Sequence, residues 1–184
     1  GVFVAEQAGT YTLRITGAGD TVGSFSFRLW DVLPIPEPTP ISLTPPEPEP
    51  DDTGLIMGEI PTPGQQARYS IELDAGQRLL FDSLSTDDTG RAEWVWITPD
   101  GSESTPRDNQ YDEGVFVAEQ AGTYTLRMRG QADVIGSFSF RLWDVPPIPE
   151  PTPISLTPPE PEPDDTGLLT GEIPTPGQQV RYSI

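Results

Sequence analysis

The sequence predicts an all-β fold of repeated two-sheet sandwiches joined by proline-rich extended connectors. Three observations carry the prediction. Apolar and polar residues alternate with a period of two, no long helical pattern occurs, and the text repeats itself at a register of 113 residues.

Residues 1–71 recur as 114–184 without a gap, with ten differing positions, six of which fall in 15–22 against 128–135. That variable segment reads as a hairpin tip. Residues 35–55 are identical to 148–168, although connecting segments usually tolerate change. Either the duplication is recent or this stretch is constrained. The expected division is 1–33 as the C-terminal part of a preceding repeat, 34–40 as a connector, 41–145 as a complete sandwich, 146–153 as a second connector, and 154–184 as the start of a following repeat. Residues 181–184 match 68–71, which continue as a strand, so a longer tandem array is expected.

In chain order, a short strand is expected at 41–43 and a longer one at 54–60. Tyr69, Ile71 and Leu73 then alternate with Ser70 and Glu72, which gives a strand with one buried face. Strands at 78–84, 93–98 and 114–118 follow. Tyr124, Leu126 and Met128 alternate with Thr125, Arg127 and Arg129, and Phe138, Phe140 and Leu142 alternate with Ser139, Arg141 and Trp143. Turn chemistry separates these segments at Asp74-Ala75-Gly76, Asp100-Gly101 and Gln120-Ala121-Gly122. About eight strands in roughly 105 residues suit a sandwich.

Composition removes whole chemistries. All ten cations are arginines, and the chain of 184 residues contains no lysine, histidine or cysteine. Disulfides, thiolate or imidazole metal sites, Ser-His-Asp and Cys-His nucleophiles and Schiff bases are therefore excluded. A net charge of −19 repels phosphate backbones and anionic lipid, so no nucleic-acid partner is expected. No apolar run is long enough to span a bilayer, so no membrane insertion is expected. With 18 glycines and 23 prolines, some segments should fold and others should not.

The order GQQARYSIELDAGQRLLFDS, WVWITPDG, AGTYTLRMRG and GSFSFRLWDV across residues 64–145 resembles the bacterial pre-peptidase C-terminal domain and its tandem relatives in large secreted proteins. The resemblance covers nearly all of the complete unit and implies a jelly-roll-like β-sandwich with an exported, accessory or surface role. The chain departs from the pattern through the acidic, proline-rich insertion at 45–52 and carries no adjoining peptidase.

Candidate chemistry is sparse. Asp87 and Asp88 are calcium candidates in an oxygen-rich loop, but they lack the D-x-[DN]-x-[DN]-G spacing and equally suit turn capping. No other cofactor is expected. Glycoside hydrolysis needs one carboxyl raised in pKa by burial, whereas these acids sit in turns or between prolines. Trp94 and Trp96 share one parity of a strand, either as core or as a sugar-stacking platform. Trp143 and its equivalent Trp30 have the outward parity and stand just before a connector. They either close the sandwich end or receive proline rings from the connector, for which Pro146 and Pro147 are the nearest.

The segment 146–153 should be extended and semi-rigid, because prolines lack amide donors and fix φ. Eight residues of polyproline II reach about 25 Å, which makes the segment a spacer. Ile41 and Leu43, with their counterparts Ile154 and Leu156, form the strand most free to cross to a neighbouring unit. The alternative is a string of independently folded beads. The expected function is a non-enzymatic structural repeat of an extracellular bacterial fibre, sheath, stalk or adhesin shaft, partnered by neighbouring copies of itself. A carbohydrate-binding or accessory module of a secreted hydrolase is the alternative.

Overall fold

The computed structural model describes residues 2–43, 54–84, 92–109, 114–132, 134–154, 169–173 and 176–183, and among them there is no helix. Strands β1 (Thr39–Pro40), β3 (Gln66–Leu73), β8 (Gly122–Gly130), β5 (Ala92–Ile97) and β6 (Arg107–Asp108) form one sheet in the order β1-β3-β8-β5-β6. Strands β2 (Ile56–Ile60), β9 (Gly136–Val145), β4 (Arg78–Ser83) and β7 (Phe116–Val117) form the second, in the order β2-β9-β4-β7. Within these two sheets all pairings are antiparallel except β1 with β3. The two sheets face each other across one core, so the complete unit is an all-β sandwich.

The alternation read from the sequence is what fills that core. Tyr69, Ile71, Leu73, Leu79, Phe81, Trp94, Trp96, Tyr124, Leu126, Met128, Phe138, Phe140 and Leu142 are buried together. Their rings interlock, with Phe81 stacked between Trp94 (4.5 Å) and Phe140 (5.1 Å) and Tyr69 edge-on to Phe140 (5.5 Å). Tyr124 donates its hydroxyl to the Gln120 carbonyl at 2.9 Å, which fixes the entry to β8.

Most strands fall within two residues of the sequence reading, and three depart further. The first strand lies at Thr39–Pro40 rather than 41–43, in register with Tyr69 and Ser70. A proline is tolerated there because β1 is an edge strand, and the next residue supplies the donor, with Ile41 N–H bonded to the Ser70 carbonyl at 2.9 Å. Ile41 and Leu43 instead pack as partly buried side chains against the core. Strand β7 keeps only Phe116 and Val117 of the expected five residues. Strand β6 was not expected, since nothing in Arg107-Asp108 alternates.

The hairpin-tip reading of 128–135 is met by the end of β8 at Gly130, a turn closed by Val134 N–H on the Gln131 carbonyl, and the start of β9 at Gly136. In the first copy, Thr21 N–H closes the same turn on Ala18.

Residues 2–33 repeat the local geometry of the complete unit although they form no strand. Phe25 and Phe27 lie 6.3 Å apart, as Phe138 and Phe140 lie 6.2 Å apart. Phe3 meets Tyr11 edge-on as Phe116 meets Tyr124, and Arg28 covers Trp30 at 5.2 Å as Arg141 covers Trp143. Phe25 is 67% exposed where Phe138 is 3% exposed. In the complete unit the same aromatic text is buried by the facing sheet.

The strands also define where the chain enters and leaves. Gly130, Gly136, Ile60 and Gln66 mark one end of the sandwich, and Leu73, Arg78 and Val145 mark the other. Strand β1 runs parallel to β3, so the chain enters from the first end and exits from the second.

Candidate functional site

Among the described residues the acidic side chains form no shared site. Asp87 and Asp88 lie outside the described residues, and among the described residues no three acidic side chains gather to hold a metal. Asp100 is occupied as a turn cap. Thr98 Oγ1 donates to Asp100 Oδ1 at 2.5 Å and Ser102 N–H donates to the same oxygen at 3.0 Å. These bonds, that from Thr98 foremost, hold its carboxyl below the ordinary range.

The tryptophans divide between the two faces of their sheets. Trp94 and Trp96 are both inside the sandwich, with Trp96 stacked on Phe116 at 5.1 Å. They are core residues and present no ring to solvent. Val95 points the other way and is still covered. The segment after β5 folds back over it, bringing Ser104 N–H to the Trp96 carbonyl and Glu103 onto Arg127 in a two-pronged ion pair at 2.7 and 2.8 Å.

Trp143 has the outward parity expected of it, yet it is only 7% exposed. Its indole N–H donates to Asp82 at 3.0 Å on neighbouring β4, and the Arg141 guanidinium lies 5.2 Å from its ring. The equivalent Trp30 lines an open cavity of about 570 Å³ with Arg28, Phe27, Ser26, Pro61, Pro63 and Ile135. The prolines brought near Trp30 therefore belong to the turn of the sandwich that follows, not to the connector.

The connector 146–153 is pinned at both ends. Arg78 donates through Nη1 to the Pro146 carbonyl as the chain leaves β9, while Pro147 is exposed. At the far end, β10 (Thr152–Pro153) pairs in parallel with β11 (Tyr182–Ser183), and Ile154 N–H bonds to the Ser183 carbonyl at 2.8 Å. This repeats β1 on β3 one register later, within the same chain. Leu156 lies outside the described residues.

One contact between units escaped the sequence reading. Gln65 N–H closes a turn on the Thr62 carbonyl at 3.0 Å, with Pro63 second and Gly64 third at φ +85°, the residue order of a type II turn. A β-carbon on Gly64 would lie 3.1 Å from Val2 Cγ2 and 3.4 Å from Val32 Cγ2. A β-carbon on Gly177, the equivalent glycine, would lie 2.9 Å from Val115 Cγ2 and 3.2 Å from Val145 Cγ2. These valines are themselves equivalents across the repeat. The available signal was the identical Pro-Thr-Pro-Gly text in both copies, which reads locally as no more than a turn.

No family model and no curated protein matches the chain. Among solved structures it is similar to the pre-peptidase C-terminal domain of collagenase from Bacillus anthracis, at 15% identity and a TM-score of 0.45, covering 58% of this chain and 94% of that one. It is also similar to Aeromonas hydrophila PliG, a periplasmic lysozyme inhibitor of g-type lysozyme, at 14% identity and a TM-score of 0.37, covering 56% of this chain and 96% of that one.

Proposed function

We propose that this chain is a non-enzymatic structural repeat of an extracellular bacterial fibre or stalk, in which sandwiches act as spacers held in line by short pinned connectors. The observation that carries the reading is the path of the chain. It enters each sandwich at one end along a parallel edge strand and leaves at the opposite end from the central strand β9. A pull on the two connectors therefore loads β1 along its own axis against β3, so that its bonds must shear together. Strand β2 is arranged differently: Ile56 opposite Phe140 begins it near the middle of β9 and it runs toward the entry end, so force on its start would unzip the pair residue by residue. The β1 pairing shields that weaker arrangement.

The sugar-binding alternative gains no platform from the tryptophan pair of β5 or from Trp143, because Trp94 and Trp96 are spent in the core and Arg141 covers Trp143. Calcium, on the same reading, acts by screening the acidic surface.

Single-molecule stretching of the chain between handles on its two connectors tests the proposal. A distinct resisting event is expected, weakened more by Ile41→Pro, which removes the donor to Ser70, than by Ile41→Ala, which loses the same packing at the margin of the core and keeps the donor. Extension without any resisting event, together with saturable binding on a glycan array, would replace the structural reading with the binding module.

A further inference from the structure

We infer that the valine pair at the exit end of each sandwich is a socket for the Pro-Gly turn of the repeat that follows, and that this joint sets the angle between successive repeats. The inference deepens the structural reading above, but its test does not depend on it.

Parity places the socket. Neither valine belongs to the core cluster: Val145 is opposite Arg78 on the outer face of the second sheet, and Val115 stands just before β7, two residues from Val117, which is also opposite Arg78. Val145 is only 2% exposed. Pro176 and Gly177 supply the turn that reaches this face, as Pro63 and Gly64 reach Val2 and Val32 one repeat earlier. The same atoms therefore meet twice at the same register, in two places where the surrounding chain differs in completeness.

The turn needs glycine for two separate reasons. Its φ of +75° to +85° is strained for any other residue. Its Cα also approaches the valine methyls so closely that a β-carbon would force something to move. These reasons can be separated within this molecule. Gly76 has φ +82° but nothing within 4 Å of its would-be β-carbon. Alanine at 76 reports turn strain alone, whereas alanine at 177 reports strain and loss of seating together.

A contact of two valines and a turn would be weak between separate molecules. Here the connector is held at Pro146 by Arg78 and again at Thr152–Pro153 by β11, which leaves only residues 147–151 between the anchors. A linker that short keeps the partners at an effective concentration on the order of millimolar or above, so a weak contact stays closed. The proline text then limits reach, and the socket chooses the orientation.

The absence of native cysteine makes the test direct. Thr105→Cys and Gln179→Cys, both at exposed positions, carry spin labels in the full 184-residue chain, and pulsed dipolar spectroscopy reads the distance distribution between them. A single narrow peak is expected. Gly177→Ala and, from the other side of the joint, Val115→Ser should each lose that peak to a broad distribution, with the β-sheet circular dichroism unchanged. Gly76→Ala should keep it, and so should a connector in which residues 147–151 are replaced by Gly and Ser. Retention of the narrow peak in both Gly177→Ala and Val115→Ser overturns the inference. So does a connector swap that broadens the distribution while the socket variants do not.

Discussion

Asp82 on β4 accepts the indole N–H of Trp143 on β9 at 3.0 Å, on the outer face of a sheet whose inner face is the aromatic core. The register sets Asp82 opposite Arg141, so Trp143 is reached diagonally, and the guanidinium lies over the ring it helps to cover. A tryptophan that looks outward by parity is thus built into its own sheet. Asp82→Ala leaves the part-buried indole donor unpaired and should destabilise the sandwich by about 1–3 kcal/mol. Trp143→Phe, which keeps a ring and loses the donor, should cost less than Trp143→Ala. Chemical denaturation of the three variants checks the order, and an Asp82→Ala midpoint equal to that of the parent would show the bond to be idle.

Gly58 sits in the middle of β2 where the backbone crosses the core. A β-carbon there would lie 2.3 Å from Phe138 Cζ and 2.7 Å from the Tyr69 hydroxyl oxygen. Gly58→Ala should therefore destabilise by about 1–3 kcal/mol through overpacking, despite the better strand propensity of alanine. Thermal melting gives the measurement, and an unchanged or raised midpoint would mean that the two rings move aside without cost.

The hairpin tips of the two copies contain a built-in comparison. Gly19 has φ +57° in one tip, and its equivalent Ala132 has φ +53° in the other, the single non-glycine residue with positive φ among the described residues. Alanine in the left-handed region costs about 1–2 kcal/mol. Part of that gain is offset by the greater unfolded-state freedom of glycine. Ala132→Gly should raise stability by up to about 1 kcal/mol, read from the denaturation midpoint, and a lower midpoint would refute the assignment of strain.

Glu103 is held below the usual glutamate range mainly by its hydrogen bonds from Arg127, with the charges of Arg127, Arg129 and Arg68 adding to the effect and desolvation opposing it. A depressed carboxyl favours the folded state above its unfolded pKa, and the contribution is lost as pH falls through the folded value. The Glu103 side chain is 48% exposed, so screening keeps the effect small and salt-sensitive. Glu103→Gln should flatten the acid limb of a stability-versus-pH curve at low ionic strength and change little near neutral pH. An acid limb of unchanged slope would remove Glu103 from the account.

Tyr69 gives the opposite sign. Burial raises its hydroxyl pKa, so its contribution is intact below the ordinary tyrosine value and is lost as pH rises from there through the folded one.

Much of this architecture was legible in the sequence because it depends on local alternation. Tyr69-Ile71-Leu73, Tyr124-Leu126-Met128 and Phe138-Phe140-Leu142 each put three large side chains on one side of a strand, which requires a facing sheet whatever the loops do. The 113-residue register and the residue types present are likewise properties of the text alone. Pairing partners are different. Thr39–Pro40 became a strand because an edge at Tyr69–Ser70 was free to receive it, and no local pattern in a proline-rich segment signals a distant edge. Trp143 was outward by parity and became buried through Asp82, Arg141 and the surroundings of its sheet. The Pro-Gly turn showed only its φ requirement in the sequence. That its glycine also seats on two valines some thirty residues apart was decided by the tertiary structure, because close approach depends on where the chain returns in space, and alternation records only which side a residue faces.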